Sequence, residues 1–132
     1  MAHPGQKRAK ILVIDDEPAV TAIIDEILQD AGYEVTCLNG SQFWMDVFNE
    51  FQPDLILLDI MMPGEDGYAV CSQLKADPST ASVPVIFLTG KGANDDGGRG
   101  FRSGAEMFIK KPFSCDRLLG IVDIVLSSSG RR

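Results

Sequence analysis

Short apolar runs alternate with amphipathic stretches five times along the chain, and this alternation limits the possible folds more than any other feature of the sequence. The runs, at residues 10–14, 34–38, 54–58, 83–88 and 105–109, have the length and composition of buried strands. Strands joined by helical crossovers form a parallel sheet that carries helices on both faces. The pattern therefore predicts one α/β domain over residues 10–126, a doubly wound five-stranded parallel sheet, with flexible tails at 1–9 and 127–132.

Four of the amphipathic stretches, residues 20–31, 43–51, 68–76 and 114–126, have apolar residues at helical spacing. Ile23 lies on the predicted buried face of the first helix, and Phe43 lies on that of the second. In the last helix, Ile121 and Ile124 widen the apolar face beyond what one sheet would cover. They indicate either a surface for a partner or coverage by flanking residues.

The remaining stretch, residues 93–103, is rich in glycine. It reads ANDDGGRGFRS, and Gly97, Gly98 and Gly100 fall where the interior of a fourth helix would lie. Each glycine disfavours a helix by about 0.8–1 kcal/mol relative to alanine. We therefore expect this fourth helix to be marginal.

Composition narrows the possible functions. The net charge of −7 argues against direct binding of nucleic acid, and no apolar run reaches the roughly 20 residues that a membrane-spanning helix needs. We expect a soluble, cytoplasmic protein that does not contact a membrane, in which Cys37, Cys71 and Cys115 are reduced and fill apolar space. The single histidine, His3, lies in the predicted tail. Ser-His-Asp catalysis and histidine-rich zinc sites are therefore excluded.

Polar side chains follow four of the five predicted strands. Because ligands of parallel sheets bind at the carboxyl ends of the strands, these side chains should lie together. The first strand leads into the sequence ILVIDDEP, where carboxylates at close range repel one another by about 4 kcal/mol per pair. The residues at the four strand ends are Asp15 and Asp16, then Asp59, then Thr89 and Gly90, and finally Lys110, Lys111 and Pro112.

Each of these residues has a purely structural explanation. Asp15 or Asp16 would serve as the N-cap of the first helix, and Asp59 would form an Asx-turn before Met-Met-Pro-Gly. Thr89 is an ordinary residue for the end of a strand, and Lys-Lys-Pro is an ordinary solvated loop. Together, however, these explanations require separate loops to place complementary chemistry on one edge by accident.

Phosphoryl chemistry explains the whole set. Mg²⁺ prefers carboxylate oxygens and a phosphate, and it would cancel the repulsion among Asp15, Asp16 and Asp59. Asp59 can then act as a carboxylate nucleophile towards phosphorus and form an aspartyl phosphate. The remaining task is to neutralise three phosphoryl oxygens. One would be bound by Mg²⁺, one by an ammonium group, and one by the Thr89 hydroxyl with nearby backbone N–H groups.

The motifs VIDDE, LLDIMMPGEDGYAVCSQLK, VPVIFLTGKG and GAEMFIKKPF occur in this order. These motifs and their spacing resemble the motifs of the receiver domains of two-component response regulators. The resemblance covers residues 10–126. The resemblance implies a flavodoxin-like (βα)5 fold with strand order 2-1-3-4-5. It also implies that Asp59 is the phosphoacceptor, that Asp16 binds Mg²⁺ directly and that Asp15 acts mainly through water. The backbone carbonyl of Met61 would complete the protein's share of the metal ligands.

The resemblance further implies roles at the other strand ends. Lys111 matches the lysine that pairs with the phosphoryl group, and the Lys111–Pro112 peptide would be cis. Thr89 and Phe108 match the switch pair, in which the hydroxyl moves to the phosphoryl group and the aromatic ring follows. Gly90 stands where alanine is usual and would line the phosphate pocket with its backbone. Met61 departs from the pattern because its side chain cannot orient a hydrolytic water.

These assignments predict a phosphorylation-dependent signalling switch. The phosphoryl donor would be a sensor histidine kinase or a histidine phosphotransfer protein. The face formed by the fourth and fifth predicted helices and the fifth strand would regulate an effector protein, or a homodimer would form through the last helix. The protein would act on no substrate except its own phosphoryl group.

Two alternatives remain open from the sequence. One is a receiver-like interaction module that works without phosphorylation. The other is a Mg²⁺-dependent aspartyl phosphatase of the haloacid dehalogenase type. A phosphatase of that type has a second acid two residues after its nucleophile, where this chain has Met61.

Overall fold

A computed structural model describes residues 8–90 and 104–128. The strands are β1 (Lys10–Ile14), β2 (Glu34–Leu38), β3 (Leu55–Asp59), β4 (Val85–Thr89) and β5 (Met107–Lys110). The helices in the described ranges are α1 (Pro18–Asp30), α2 (Trp44–Phe51), α3 (Gly67–Ala76) and α4 (Cys115–Ser128). All strand pairs are parallel and their order is β2-β1-β3-β4-β5. The predicted fold class and strand order are confirmed.

Side chains of the strands alternate between two apolar layers, as the period of two in a strand requires. In β1, Leu12 and Ile14 face the layer that contains α2 and α3. Ile11 and Val13 face the layer that contains α1 and α4. All four side chains are fully buried. The four residues from Ile11 to Ile14 are therefore all apolar because β1 has helices on both faces.

Three strands extend further towards their carboxyl ends than the sequence predicted. Asp59, Thr89 and Lys110 are the last residues of β3, β4 and β5, rather than the first residues after them. The ladder continues through these residues, because Asp59 pairs in register with Leu88 and Thr89 pairs with Lys110. The polar side chains at the edge are thus held by sheet geometry.

Several predicted burial assignments are wrong. Ile23 on α1 is 54% exposed, and Phe43 is 68% exposed because it precedes α2 as the N-cap residue, with a left-handed φ of 63°. On α4, Ile121 is only 7% exposed and belongs to the apolar core, whereas Ile124 is 59% exposed. The wide apolar face predicted for the last helix therefore reduces to one exposed isoleucine.

The cysteines differ in environment. Cys71 is buried in the core as predicted, but Cys115 is exposed at the start of α4. Burial raises the pKa of the Cys37 thiol to about 11, and the charge of Asp25 adds to this effect. Of the predicted tails at 1–9 and 127–132, residues 1–7 and 129–132 lie outside the described residues, as does the predicted helix at 93–103. Residues 127 and 128 belong to α4. None of the described helices combines the length and apolar character that crossing a membrane requires.

Candidate phosphoryl-transfer site

Carboxylates from two strands meet at the carboxyl edge of the sheet. Asp15 follows β1 and is fully buried, and Asp59 ends β3 and is 3% exposed. Backbone hydrogen bonds fix Asp15, whose N–H donates to the carbonyl of Leu38 at 3.0 Å. Carboxylate oxygens of Asp15, Asp16, Glu17 and Asp59 all lie within 4.8 Å of one another. The predicted grouping of the acids is therefore present at this edge, with Glu17 as an additional member.

Lys111 lies among these acids. Its Nζ is 2.7 Å from Asp15 Oδ2, 3.3 Å from Glu17 Oε1 and 3.6 Å from Asp59 Oδ1. Its backbone N–H donates to the carbonyl of Thr89 at 2.7 Å, which extends the β4–β5 pairing by one residue. The peptide bond from Lys111 to Pro112 is cis, the isomer that the resemblance implies. Lys110 is exposed and makes none of these carboxylate contacts.

The electrostatics of the cluster oppose ionisation of Asp59. Burial raises the pKa of this carboxyl to about 7, and the charge of Asp15 and a hydrogen bond with Asp16 add to the effect. Lys111 and the backbone N–H of Met61 act in the opposite direction without cancelling it. Burial alone would lower the pKa of Lys111, but its bond to Asp15 and the charges of Asp15 and Asp59 raise it. The site therefore has more negative charge than the single ammonium can balance.

The chain after Asp59 is held close to α3 by a glycine. The N–H of Gly67 donates to the carbonyl of Ile60 at 2.9 Å. A Cβ at position 67 would lie 2.3 Å from the carbonyl oxygen of Asp59 and 2.9 Å from Cα of Ile60. Only glycine lets the start of α3 approach the backbone of the site this closely.

The loop between β3 and α3 is also braced by side chains. Glu65 accepts a hydrogen bond from the indole N–H of Trp44 on α2 at 3.1 Å and another from the amide of Gln73 on α3. Met62 is buried in the same apolar layer as Trp44. Met61, in contrast, is 61% exposed beside Asp59. The loop thus has a fixed inner side, and the large side chain of Met61 is exposed to solvent.

A cleft of about 710 Å³ opens beside the carboxylates. Acidic and basic groups line it together with exposed or half-buried apolar residues. Its lining includes Asp16, Glu17, Val20, Ile23, Asp59, Met61, Gly90, Lys111, Pro112 and Phe113. Ile23, which was predicted to be buried, is part of this lining.

Two predicted site residues lie behind the cleft lining. Thr89 is buried at the end of β4, 5% exposed. Phe108 on β5 is half-buried, and its ring centroid lies 5.6 Å from that of Phe87 in the layer that contains α2 and α3. Both residues are on strands next to the cluster, but neither belongs to the lining of the cleft.

The structural explanation of the first two acids is wrong. The N-cap of α1 is Glu17, and its side chain makes no capping bond. Asp15 instead accepts a hydrogen bond from the N–H of Glu17 at 2.9 Å. The role of Glu17 was missed from the sequence, although its place in the acidic run DDE was a signal for it.

The donor set is suited to Mg²⁺. Oxygen ligands of an octahedral Mg²⁺ stand about 3 Å apart when adjacent and about 4.2 Å apart when opposite, so carboxylate oxygens within 4.8 Å of one another need only small adjustments. Lys111 already pairs with Asp15 at 2.7 Å. Asp15 is therefore less available for direct coordination than the other acids of the set.

The fold and this edge together define a flavodoxin-like α/β domain with an acidic cleft that contains a lysine. The family model for the response regulator receiver domain matches residues 11–123. The chain is 38% identical over 122 residues to the DNA-binding dual master transcriptional regulator RpaA of Synechocystis sp., covering 92% of this chain and 51% of RpaA. It is 39% identical over 120 residues to the phosphate regulon transcriptional regulatory protein PhoB of Pseudomonas aeruginosa, covering 91% and 52%.

Among solved structures, that of the chemotaxis protein CheY4 of Vibrio cholerae superposes with a TM-score of 0.84 at 27% identity, covering 91% of this chain and 100% of CheY4. The chain belongs to the response regulator receiver domain family. Receiver domains are signalling domains rather than classical enzymes. The chain spans about half the length of the curated relatives that it matches.

Proposed function

We propose that this domain is a phosphorylation-dependent switch that accepts a phosphoryl group on Asp59 in the presence of Mg²⁺. The observation that carries the proposal is the arrangement around Asp59. Its carboxylate is buried at a strand end and opens on a cleft, with an ammonium 3.6 Å away and further carboxylate oxygens within 4.8 Å. A buried acid with compensating charges around it is the environment that an acyl phosphate needs.

The proposed transfer is a displacement at phosphorus. A carboxylate oxygen of Asp59 forms a bond to phosphorus while the bond from phosphorus to the imidazole nitrogen of a phosphohistidine breaks. The imidazole leaves with the electron pair of that bond and is protonated by solvent. Lys111 would pair with one of the phosphoryl oxygens, since its Nζ lies 3.6 Å from Asp59 Oδ1.

For the metal, we propose Asp16 and Asp59 as direct ligands, Asp15 as a ligand through water, and the carbonyl of Met61 as the backbone ligand. The full burial of Asp15 and its 2.7 Å contact with Lys111 support its indirect role. When bound, Mg²⁺ supplies positive charge that offsets the carboxylates and the phosphoryl oxygens.

We further propose that Thr89 and Phe108 transmit the phosphorylated state. Thr89 lies at the end of β4, one residue before Gly90, whose backbone would line the phosphate pocket. Phe108 pairs in register with Phe87, two residues before Thr89. A shift of the Thr89 hydroxyl towards the phosphoryl group would therefore change the position of the Phe108 ring, because β4 and β5 are adjacent strands.

The proposed partners follow from this mechanism. The phosphoryl donor is a sensor histidine kinase or a histidine phosphotransfer protein. The downstream partner is an effector protein or a second copy of this chain bound through α4. Ile124 is the exposed apolar residue of α4 that would serve such a contact. Direct contact with nucleic acid is not part of the proposal, because the chain has a net charge of −7.

Intact mass after incubation with Mg²⁺ and acetyl phosphate tests the function. We expect one added phosphoryl group in the wild type and none in Asp59→Asn, and the product should be lost on treatment with hydroxylamine, which cleaves acyl phosphates. Steady turnover of many phosphate esters would instead indicate the phosphatase. An unchanged mass would indicate an interaction module that works without phosphorylation.

The Met61→Asn variant should lose its phosphoryl group faster than the wild type. The thioether of Met61 is 61% exposed beside Asp59 and offers no strong hydrogen bond to an attacking water. An amide at this position can orient that water, and we expect an acceleration of about two- to tenfold, within the range of a modest positioning effect. Single-turnover decay of the phosphorylated protein measures the rate. Met61→Leu is the matched control and should decay like the wild type; equal rates for the asparagine variant would contradict the prediction.

A further inference from the structure

Lys111 contacts one carboxylate, that of Glu17, which has no role in the proposed transfer. Its Nζ contacts Asp15 at 2.7 Å, Glu17 at 3.3 Å and Asp59 at 3.6 Å. An ammonium group has three N–H donors. The contacts with Asp15 and Asp59 are ion pairs, whereas the contact with Glu17 is also a hydrogen bond, in which an N–H of Lys111 donates to Glu17 Oε1.

The three contacts differ in how readily they can be broken. The side chains of Asp15 and Asp59 are 0% and 4% exposed, whereas that of Glu17 is 63% exposed. Leaving a buried carboxylate unpaired is costly, but an exposed ion pair contributes little to stability. Asp15 also fixes the backbone of Glu17 through the 2.9 Å bond from its N–H, while the side chain of Glu17 makes no capping bond. Glu17 is therefore the contact that can open without disturbing the chain.

We propose that Glu17 is a positioning residue that restrains Lys111 and competes with the incoming phosphoryl group for its ammonium. The inference rests on the proposed function and adds a residue that controls its rate. Asp15 keeps its 2.7 Å ion pair with Lys111 in both states. The donor that a phosphoryl oxygen receives is the one that Glu17 gives up, and the side chain of Glu17 turns to solvent at the mouth of the cleft.

Two Glu17 variants and one control test the restraint. The control for net charge is Glu26→Gln, because Glu26 is exposed on α1 and lies outside the cleft lining. Glu17→Gln keeps the shape and removes the charge. Glu17→Asp keeps the charge but withdraws it from Lys111 by about 1.5 Å, the length of one C–C bond. At saturating Mg²⁺ and acetyl phosphate, we expect both Glu17 variants to be phosphorylated about two- to fivefold faster than the wild type, the factor equivalent to one exposed ion pair.

Beryllium fluoride provides a second measurement that does not depend on turnover. Backbone amide NMR shifts should show half-saturation of both Glu17 variants at a correspondingly lower beryllium fluoride concentration, while Glu26→Gln matches the wild type.

Equal phosphorylation rates for Glu17→Gln and Glu26→Gln overturn the inference. A faster Glu17→Gln beside an unchanged Glu17→Asp also overturns it, because it indicates repulsion of the anionic donor. A change confined to the half-saturating Mg²⁺ concentration overturns it in favour of a metal ligand. Failure of the wild type itself to gain a phosphoryl group refutes the proposed function as well.

Discussion

The Asp59→Asn variant should be more stable than the wild type by about 2–4 kcal/mol near pH 8 in the absence of divalent cations. Burial raises the pKa of Asp59 to about 7, and the charge of Asp15 adds to this effect despite Lys111. The unfolded chain keeps an ordinary carboxyl pKa of about 4. At alkaline pH the folded wild type therefore contains a carboxylate that its surroundings disfavour, and the amide of the variant removes that charge while keeping its shape.

This difference should depend on pH in a defined direction. A carboxyl group whose pKa rises on folding binds its proton more tightly in the folded state, so the wild type loses stability as the pH increases from about 4 to about 7. The amide does not titrate, and the two proteins should converge at the acidic end of this range. Mg²⁺ should also narrow the difference, because it offsets the same charge.

Urea unfolding followed by fluorescence measures both effects, since Trp44 is the single tryptophan and is 5% exposed. Asp30→Asn is the matched control, because Asp30 is an exposed carboxylate at the end of α1. Its effect should stay within about 0.5 kcal/mol. If Asp59→Asn is no more stable than this control near pH 8, the carboxylates of the cluster do not destabilise the folded state.

The fold could be predicted from the sequence because its determinants are local. Four consecutive apolar residues in β1 can be buried only if helices cover both faces of the strand, and the structure places them alternately in the two layers. The carboxyl ends of parallel strands share one edge, so Asp15, Asp59 and Lys111 could be grouped before any distance was known.

The errors occur where burial or charge depends on a distant neighbour. Helical spacing placed Ile121 and Ile124 together, but the core covers only Ile121. The interaction between Glu17 and Lys111 joins residues 94 positions apart. The acidic run predicted repulsion, yet the pKa of Asp59 depends on burial that the sequence does not specify.

The Gly67→Ala variant should be destabilised by about 2–3 kcal/mol, the cost of forcing an extra carbon into a packed backbone. Its Cβ would lie 2.3 Å from the carbonyl oxygen of Asp59, and that oxygen cannot rotate away as the end of a side chain could. Gly120 on α4 provides the matched control, since a Cβ there meets no atom within 4 Å. Gly120→Ala should stabilise the protein by about 0.5–1 kcal/mol, because alanine favours a helix.

The same clash should impair the proposed chemistry, because relief of the contact requires the backbone of Asp59 or the start of α3 to move. Misplacement of a reacting group by about 1 Å can cost about 100-fold in rate, and we expect phosphorylation by acetyl phosphate to slow at least tenfold. Gly120→Ala should be phosphorylated at the wild-type rate. This control distinguishes a change in the geometry of the site from a change in the stability of the domain. If Gly67→Ala is destabilised but reacts normally, α3 has absorbed the strain by moving away from β3. In that case the bond from the N–H of Gly67 to the carbonyl of Ile60 stabilises the domain without positioning Asp59.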